Sequence, residues 1–376
     1  MFTETDLQKI LFENYSTNVL PHVNKSTPIE VEIDLYLISI DNVDEKKQSI
    51  TIRATLEISW KDDFLVWNPM TYGNVSTINV KQDDIWYPNI ALKHTFHRPT
   101  DLGQAGGRAI VDHDGSVLTW PYKLYTVACK IKIAKFPFDK QTCEFIFVPW
   151  TNPTDSMMLF SKQIKPDLTM LSESGEWAIL DCRVEHATLS FSEDSFTYVH
   201  FVLDLQRKAL YHVLNALIPV MCISLLNIAC FILPSHGGER VTLSISIFLT
   251  LAVFLTVVNS SMPESSDEVS ALSVYVGLQL FGSVFTVVFT IISLTLFHRD
   301  KSIDISMIWT ILVRICCVKK KGKYNSESRE NGGNTKHDSD DVTWILVSQA
   351  LDKFCLIAAC IWHATLTTSL MLSITI

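Results

Sequence analysis

Four runs of about twenty apolar residues, at 209–231, 240–258, 272–297 and 355–374, all lie after Arg207, and each is long enough to cross the hydrocarbon core of a bilayer. The first 207 residues contain no such run. They show short alternating pieces, among them VEIDLYLISI and TIRATLEISW, broken by Asp, Asn, Gly and Pro, which is the pattern of strands with one buried face. A chain of 376 residues, 48% of them hydrophobic, is too long for one small domain and too apolar in places to be wholly soluble. We therefore expect a β-rich extramembrane domain followed by four membrane-spanning helices.

Charge sets the sidedness. The link between the second and third runs, NSSMPESSDEVS, has no Lys or Arg, whereas the link between the third and fourth carries Arg299, Lys301, Arg314, Lys319, Lys320, Lys321 and Lys323. The positive-inside rule makes the second of these links cytoplasmic and, with four spans, puts both termini outside. Three Asn-x-Ser acceptors, Asn14, Asn24 and Asn74, all lie in the first domain, in keeping with glycosylation in the secretory pathway; the match at Asn259 abuts a span. The opening residues MFTETDLQKILFENY have no basic region followed by an apolar one, so a removed leader is expected. This stretch reads instead as a short amphipathic helix capped by Thr3 or Thr5, with Leu7, Ile10 and Leu11 on one face.

Cysteines divide by compartment. Cys129 and Cys143 lie where the environment is oxidising and a disulfide can persist, and Cys182 reads as a buried thiol. Cys222, Cys230, Cys355 and Cys360 fall within spans as small apolar residues. Cys316 and Cys317, beside the Lys cluster, are either a palmitoylation site or ordinary membrane-proximal thiols.

Between Cys129 and Cys143 stand thirteen residues, KIKIAKFPFDKQT, with the tetrapeptide Phe136-Pro137-Phe138-Asp139 in their midst. A disulfide across this interval would close a small loop whose Pro can fix a tight or cis turn. The spacing, the FPFD tip and the four downstream spans occur together with LEISWKD, IWYPNIAL, DGSVLTWP, GEW at 175–177, LIP at 217–219 and GERVTLSI. In this combination the chain resembles the Cys-loop receptors, the pentameric ligand-gated ion channels, in the branch of nicotinic acetylcholine and serotonin receptors. The resemblance implies an extracellular β-sandwich of ten strands over residues 1–207, three helices over 208–297, a cytoplasmic loop over 298–341, and a helix running into the fourth span over 342–376. It also implies a Cys129–Cys143 disulfide, assembly with identical or homologous subunits into a pentamer, and a place in the plasma membrane.

Within the second apolar run, Thr242, Ser246, Leu249, Val253, Thr256 and Ser260 recur at steps of four and three, which keeps them on one face of a helix. Hydrocarbon offers hydroxyls no partner, so that face must meet water or other helices. The resemblance makes it the pore wall, with Glu239 added at the cytoplasmic end. Five Glu239 carboxylates would attract cations, the hydroxyls would replace part of an ion's shell, and Leu249 and Val253 would form apolar rings able to dewet and close. A cation-selective channel is expected, with divalent preference reduced by the neutral Ser260 at the outer end.

The resemblance also implies a coupling surface built from Glu45, Phe136, Pro137, Phe138, Asp139, Arg207 and Pro263, with Glu45 and Arg207 as a partly buried ion pair. Arg207 as a plain headgroup anchor is the alternative. For the ligand, Trp150 and Phe196 match one wall of an aromatic cage that holds an ammonium group, and Trp120 matches the complementary face. The chain departs from that pattern at Lys93, which replaces a Tyr, at Thr55, which replaces a Trp, and in lacking the adjacent cysteine pair. A lysine ammonium pointing into the cage would repel a cationic agonist unless it turns away or pairs with an acid. The agonist is a small molecule of unassigned identity. An anionic ligand, a proton-sensitive gate using His94, His97, His113, His186 or His200, and a non-conducting accessory subunit that needs a partner are the alternatives.

The run IDISMIWTILVRICC is expected to lie along the inner membrane surface, and KKKGKYNSESRENGGNTKHDSDD to be disordered, with its lysines near anionic lipid. No Gly-rich phosphate loop, nucleophile elbow or zinc motif marks an enzyme, and no cofactor, metal or nucleic-acid partner is implied.

Overall fold

The computed structural model describes residues 3–24, 26–96, 102, 106–191, 194–234, 238–260, 262, 268–300, 305–316 and 343–375. The chain divides into two units, one of residues 1–132 and 138–208, the other of residues 133–137 and 209–376.

In the first unit a short helix, α1 (Glu4–Phe12), precedes strands β1 (Ile29–Asp44), β2 (Ser49–Val66), β3 (Thr77–Lys81), β4 (Ile90–Leu92), β5 (Arg108–Asp112), β6 (Asp114–Thr119), β7 (Tyr122–Ala128), β8 (Lys140–Pro149), β9 (Met157–Phe160), β10 (Trp177–Phe191) and β11 (Asp194–Arg207). One sheet runs β3-β5-β6-β2-β1-β9, with β7 also paired to β2, and the other runs β10-β11-β8-β4. The described residues thus hold eleven strands rather than the ten expected, the separate short pieces β4 and β9 being edge strands of the two sheets.

Strand alternation places the core. Ile33, Leu35 and Leu37 of β1, Ile50, Ile52, Leu56 and Ile58 of β2, and Phe201, Leu203 and Leu205 of β11 are all fully buried. Each such aliphatic side chain contributes roughly 1.5–3 kcal/mol by leaving water. Ring contacts join the layers, Tyr125 of β7 lying 6.0 Å from Phe147 of β8, and Phe147 lying 5.7 Å from Phe201. Near the start of β6, Gly115 has φ +87°, and a Cβ there would come within 2.3 Å of the Asp62 carbonyl oxygen, so only glycine fits. In α1, Thr3 supplies the cap, receiving the Asp6 amide while its own amide donates to the Asp6 carboxylate. Leu7 is buried but Ile10 is 49% exposed, which corrects the expected apolar face.

Among the described residues the second unit has four helices long and apolar enough to cross a membrane, Leu210–Ala229, Glu239–Ser260, Ala271–Phe297 and Trp344–Ile374. The first starts as α2 (Leu210–His212), widens into a π-helical turn over Val213–Leu217 and continues as α3 (Ile218–Ala229). Pro219 has no amide proton to donate back along the helix, and the wide turn takes up that break. The pore helix expected over 240–258 is α4 (Glu239–Ser260), followed by α5 (Ala271–Phe297), α6 (Met307–Ile315) and the long α7 (Trp344–Thr375). Helix α6 packs Val313 into a cluster with Phe231, Leu296, Trp344 and Val347, while Met307, Ile308 and Ile315 stay exposed. Ile133–Pro137 belongs to this unit: Phe136 packs edge-on against His212 at 4.8 Å, and Ala134 accepts the Ala271 amide at 3.0 Å. Pro263, His97, Cys317 and the polar run after it lie outside the described residues.

Candidate functional site: a helix face, an aromatic wall and a buried ion cluster

Helix α4 separates its residues by face. Arg240, Ser244, Ile247, Leu251 and Val258 are buried, whereas Glu239, Thr242, Ser246, Leu249, Val253, Thr256 and Ser260 are all exposed in the single chain. Leu249 and Val253, at 56% and 62% exposure, are large apolar side chains left largely uncovered by the described residues. The hydroxyls of this face are bound inward. Ser246 donates to the Thr242 carbonyl at 2.8 Å, Thr256 to Val253 and Ser260 to Val257, each at 2.7 Å. A hydroxyl that spends its proton on its own helix presents only lone pairs outward, an arrangement suited to a cation.

The foot of α4 is fixed by an ion pair that sequence reasoning passed over. Arg240, with a side chain 3% exposed, forms a two-pronged contact with Asp352 of α7 at 2.7 and 2.9 Å, and Ser293 of α5 donates to the same carboxylate at 2.7 Å. The available signal was Asp352 itself, an acid at the edge of an apolar run, which must pair to stay there.

In the first unit, the positions expected to bind a ligand fall on two sheets. Trp150 follows β8 and is 56% exposed, Phe196 of β11 is half-buried beside Leu189, and the exposed Lys93 holds its backbone to Ile146 of β8 at 2.8 Å. Thr55 lies in β2 between Tyr36 and Tyr122, and Trp120 donates its indole N–H to Glu57 at 2.9 Å. Period-two spacing from Phe196 brings Tyr198 and His200 to the same face, where their rings stack at 4.6 Å. Tyr198 was missed because only its neighbours were weighed. His200 also lies 3.7 Å from the Glu144 carboxylate. Burial holds the His200 imidazole below its ordinary value; Glu144 and Glu185 oppose that shift and Lys93 adds to it. Of the other histidines, His186 contacts the Ser161 backbone at 3.0 Å, and His94 and His113 are exposed. Among the described residues no group of three or more His, Cys, Asp or Glu could hold a metal.

The third constellation centres on Arg207. Its side chain, 4% exposed, reaches Glu45 at 2.8 Å and also Asp139, 1% exposed, at 2.8 and 3.2 Å. This burial rules out a headgroup anchor. The Trp177 ring lies 4.3 Å under the guanidinium, and Gln141 donates to the same Asp139 carboxylate at 2.6 Å. Asp139, expected as a loop-tip residue, is therefore the deeper partner of the cation. Phe136 and Pro137 are buried, and Phe138 is 39% exposed. Cys129 and Cys143 are joined by a disulfide, and Cys182 is free and buried. Asn14, Asn24 and Asn74 are exposed.

A β-sandwich closed by this disulfide, followed by four apolar helices, defines a membrane receptor, and the matches agree. Residues 4–209 match the neurotransmitter-gated ion-channel ligand binding domain and residues 216–332 the neurotransmitter-gated ion-channel transmembrane region, so the chain belongs to the neurotransmitter-gated ion-channel family. It is 32% identical to the acetylcholine receptor subunit alpha of Danio rerio over 311 residues, 81% of this chain and 68% of that protein. It is 31% identical to the neuronal acetylcholine receptor subunit alpha-6 of Rattus norvegicus, over 79% of this chain and 60% of that one. Against the acetylcholine receptor subunit beta-type unc-29 of Caenorhabditis elegans the identity is 27%, over 88% of this chain and 67% of the relative. The chain is a multi-pass plasma membrane protein with an extracellular N-terminal domain, from a family of channels rather than enzymes whose members are pentamers of homologous subunits.

Proposed function

We propose that this chain is a pore-forming subunit of a cation-selective channel opened by an extracellular ligand bound between neighbouring subunits. The observation that carries the reading is the exposed face of α4, where one line of residues joins an acid, hydroxyls with outward lone pairs and two apolar rings. Five such faces around an axis give a cation-attracting inner mouth at Glu239, a coordinating stretch at Thr242 and Ser246, and a dewetting constriction at Leu249 and Val253. Thr256 and Ser260 line the outer end.

The exposed Lys93 adds a positive charge near His200, whose ring stacks on Tyr198, which disfavours a simple quaternary ammonium ion as the agonist. Trp150, Phe196 and Lys93 of one subunit would face Thr55 and Trp120 of the next, where Glu57 adds a carboxylate beside the Trp120 indole. His200 beside Glu144 favours protons as a second stimulus at the same wall. Asp139 and Arg207 stand next to the points where the chain passes from one unit to the other, and with Glu45 they are the residues we assign to coupling, together with Phe136, Pro137, Phe138 and Pro263.

Whole-cell current from this chain expressed alone, with and without Leu249→Thr, tests the reading. Hydroxyls placed in the constriction should wet it and leave a standing cation current without agonist. Silence of the variant at confirmed surface expression would overturn a self-sufficient pore and favour an accessory subunit.

A further inference from the structure

A cavity of about 620 Å³ lies in the first unit between α1 and the edge strand β3. The free edge of β3 holds the helix there: the Asn79 amide donates to the Glu4 carboxylate at 3.2 Å, and the Gln8 side-chain amide donates to the Asn79 carbonyl at 3.1 Å. Phe12 and Tyr15 form an aromatic wall, their rings edge-on at 5.5 Å. The Tyr15 hydroxyl donates to Asp62 at 2.6 Å and accepts the Trp86 amide at 2.9 Å, so Tyr15 offers the cavity its ring. The other walls carry four charges: Lys81 at the end of β3, Asp83 and Asp84 in the turn Gln82–Asp84 that follows it, and Arg108 at the start of β5.

Lys81 and Arg108 stand directly opposite each other in the β3–β5 register, and both are exposed. Like charges so placed destabilise a strand pair. Among the described residues no ion pair or side-chain hydrogen bond joins either cation, or Asp83 or Asp84, to another group. Two bases and two acids thus share one cavity without neutralising each other. A purely anionic ligand would gain at the bases and be repelled by the acids, and a cation the reverse, whereas a molecule with both charges gains at both poles. We propose that this cavity binds a zwitterionic aromatic amino acid. Its carboxylate bridges Lys81 and Arg108, its ammonium group meets Asp83 and Asp84, and its ring lies against Phe12 and Tyr15. The cavity shares no lining residue with the wall of Trp150 and Phe196, so it is a second site on the same unit.

The test uses the full-length chain in lipid nanodiscs and the photoreactive amino acid p-benzoylphenylalanine, with labelled residues mapped by mass spectrometry. Two analogues accompany it, the amine that lacks its carboxylate and the acid that lacks its ammonium group. The amino acid should label the peptides that carry Phe12, Tyr15 and β3, saturably and at about tenfold lower concentration than either analogue, the gain expected of one charge-assisted hydrogen bond. Lys81→Gln with Arg108→Gln should weaken the amino acid to the level of the amine and leave the amine's own labelling no weaker. Asp83→Asn with Asp84→Asn should weaken it to the level of the acid instead. All four side chains are exposed, so both variants should melt with the parent, and a fold lost in either would weaken all three probes alike. Equal half-saturation by the three probes, or labelling around Trp150 and Phe196 but not here, would overturn the proposal. So would loss of the pentamer in the charge variants, which would make these residues a contact with the neighbouring subunit.

Discussion

Asp139→Asn keeps the shape of the side chain buried against Arg207 and removes its charge. The guanidinium, 4% exposed, would then keep Glu45, whose side chain is 22% exposed, as its paired carboxylate among the described residues. Removing one member of a buried pair costs about 3–5 kcal/mol, because the remaining charge keeps its desolvation penalty. Glu45→Gln removes a single, better-solvated contact, worth about 1 kcal/mol or less. For a domain of this size each kcal/mol moves the melting temperature by about 2–4 °C, so Asp139→Asn should lower it by ~6–20 °C and Glu45→Gln by less than ~4 °C. Tryptophan fluorescence of the solubilised full-length chain is a suitable readout, since Trp60, Trp67, Trp86, Trp120, Trp150 and Trp177 lie in the first unit, against only Trp309, Trp344 and Trp362 in the second. Equal falls for the two variants would refute the ranking of the partners. An Asp139→Asn protein that melts with the parent would refute the burial argument itself.

Glu239→Ala should weaken cation preference: under a tenfold dilution of external NaCl the parent current should reverse near about −59 mV, the ideal value for a monovalent cation, and the variant closer to zero. An unchanged reversal potential would remove Glu239 from the pore mouth. Removing one partner of the Arg240–Asp352 pair by Asp352→Leu should destabilise the helices by about 3–5 kcal/mol and lower surface expression, while the double change with Arg240→Leu should restore much of it. His200 has a depressed pKa in the folded chain, so its contribution is present above its ordinary value of 6.5 and is lost as pH falls through the folded value. His200→Gln should accordingly flatten the fall in melting temperature between neutral pH and about pH 5; an unaltered slope would place the titration elsewhere.

The four spans were legible because apolar length is a property of contiguous sequence, and the α4 face was legible because helical periodicity maps positions onto angle. Alternation in β1 and β2 likewise announced which residues point inward. Long-range pairings were not legible. Nothing local links Asp139 to Arg207 across 68 positions, or Arg240 to Asp352 across 112, since each contact depends on how whole elements dock. The Arg207 site could be anticipated only through family resemblance, which brought Glu45 forward and left the more deeply buried Asp139 at a loop tip. Ile10 was misjudged for a related reason: helical spacing places it near Leu7, but which of the two is covered depends on how α1 docks, and only Leu7 is buried.

The two units are not consecutive stretches of chain. Residues 133–137 lie in the middle of the outer unit's sequence yet belong to the membrane unit, and the Cys129–Cys143 disulfide closes the chain around them. The connection between units is therefore threefold, at 132/133, 137/138 and 208/209, and a cut after Lys208 breaks only the last. The severed outer part would carry away Phe136, 4% exposed in the intact chain, stripped of its His212 neighbour. Any soluble version of the outer unit thus inherits an uncovered apolar tip, and changing that tip to polar residues is the first alteration its solubility would call for.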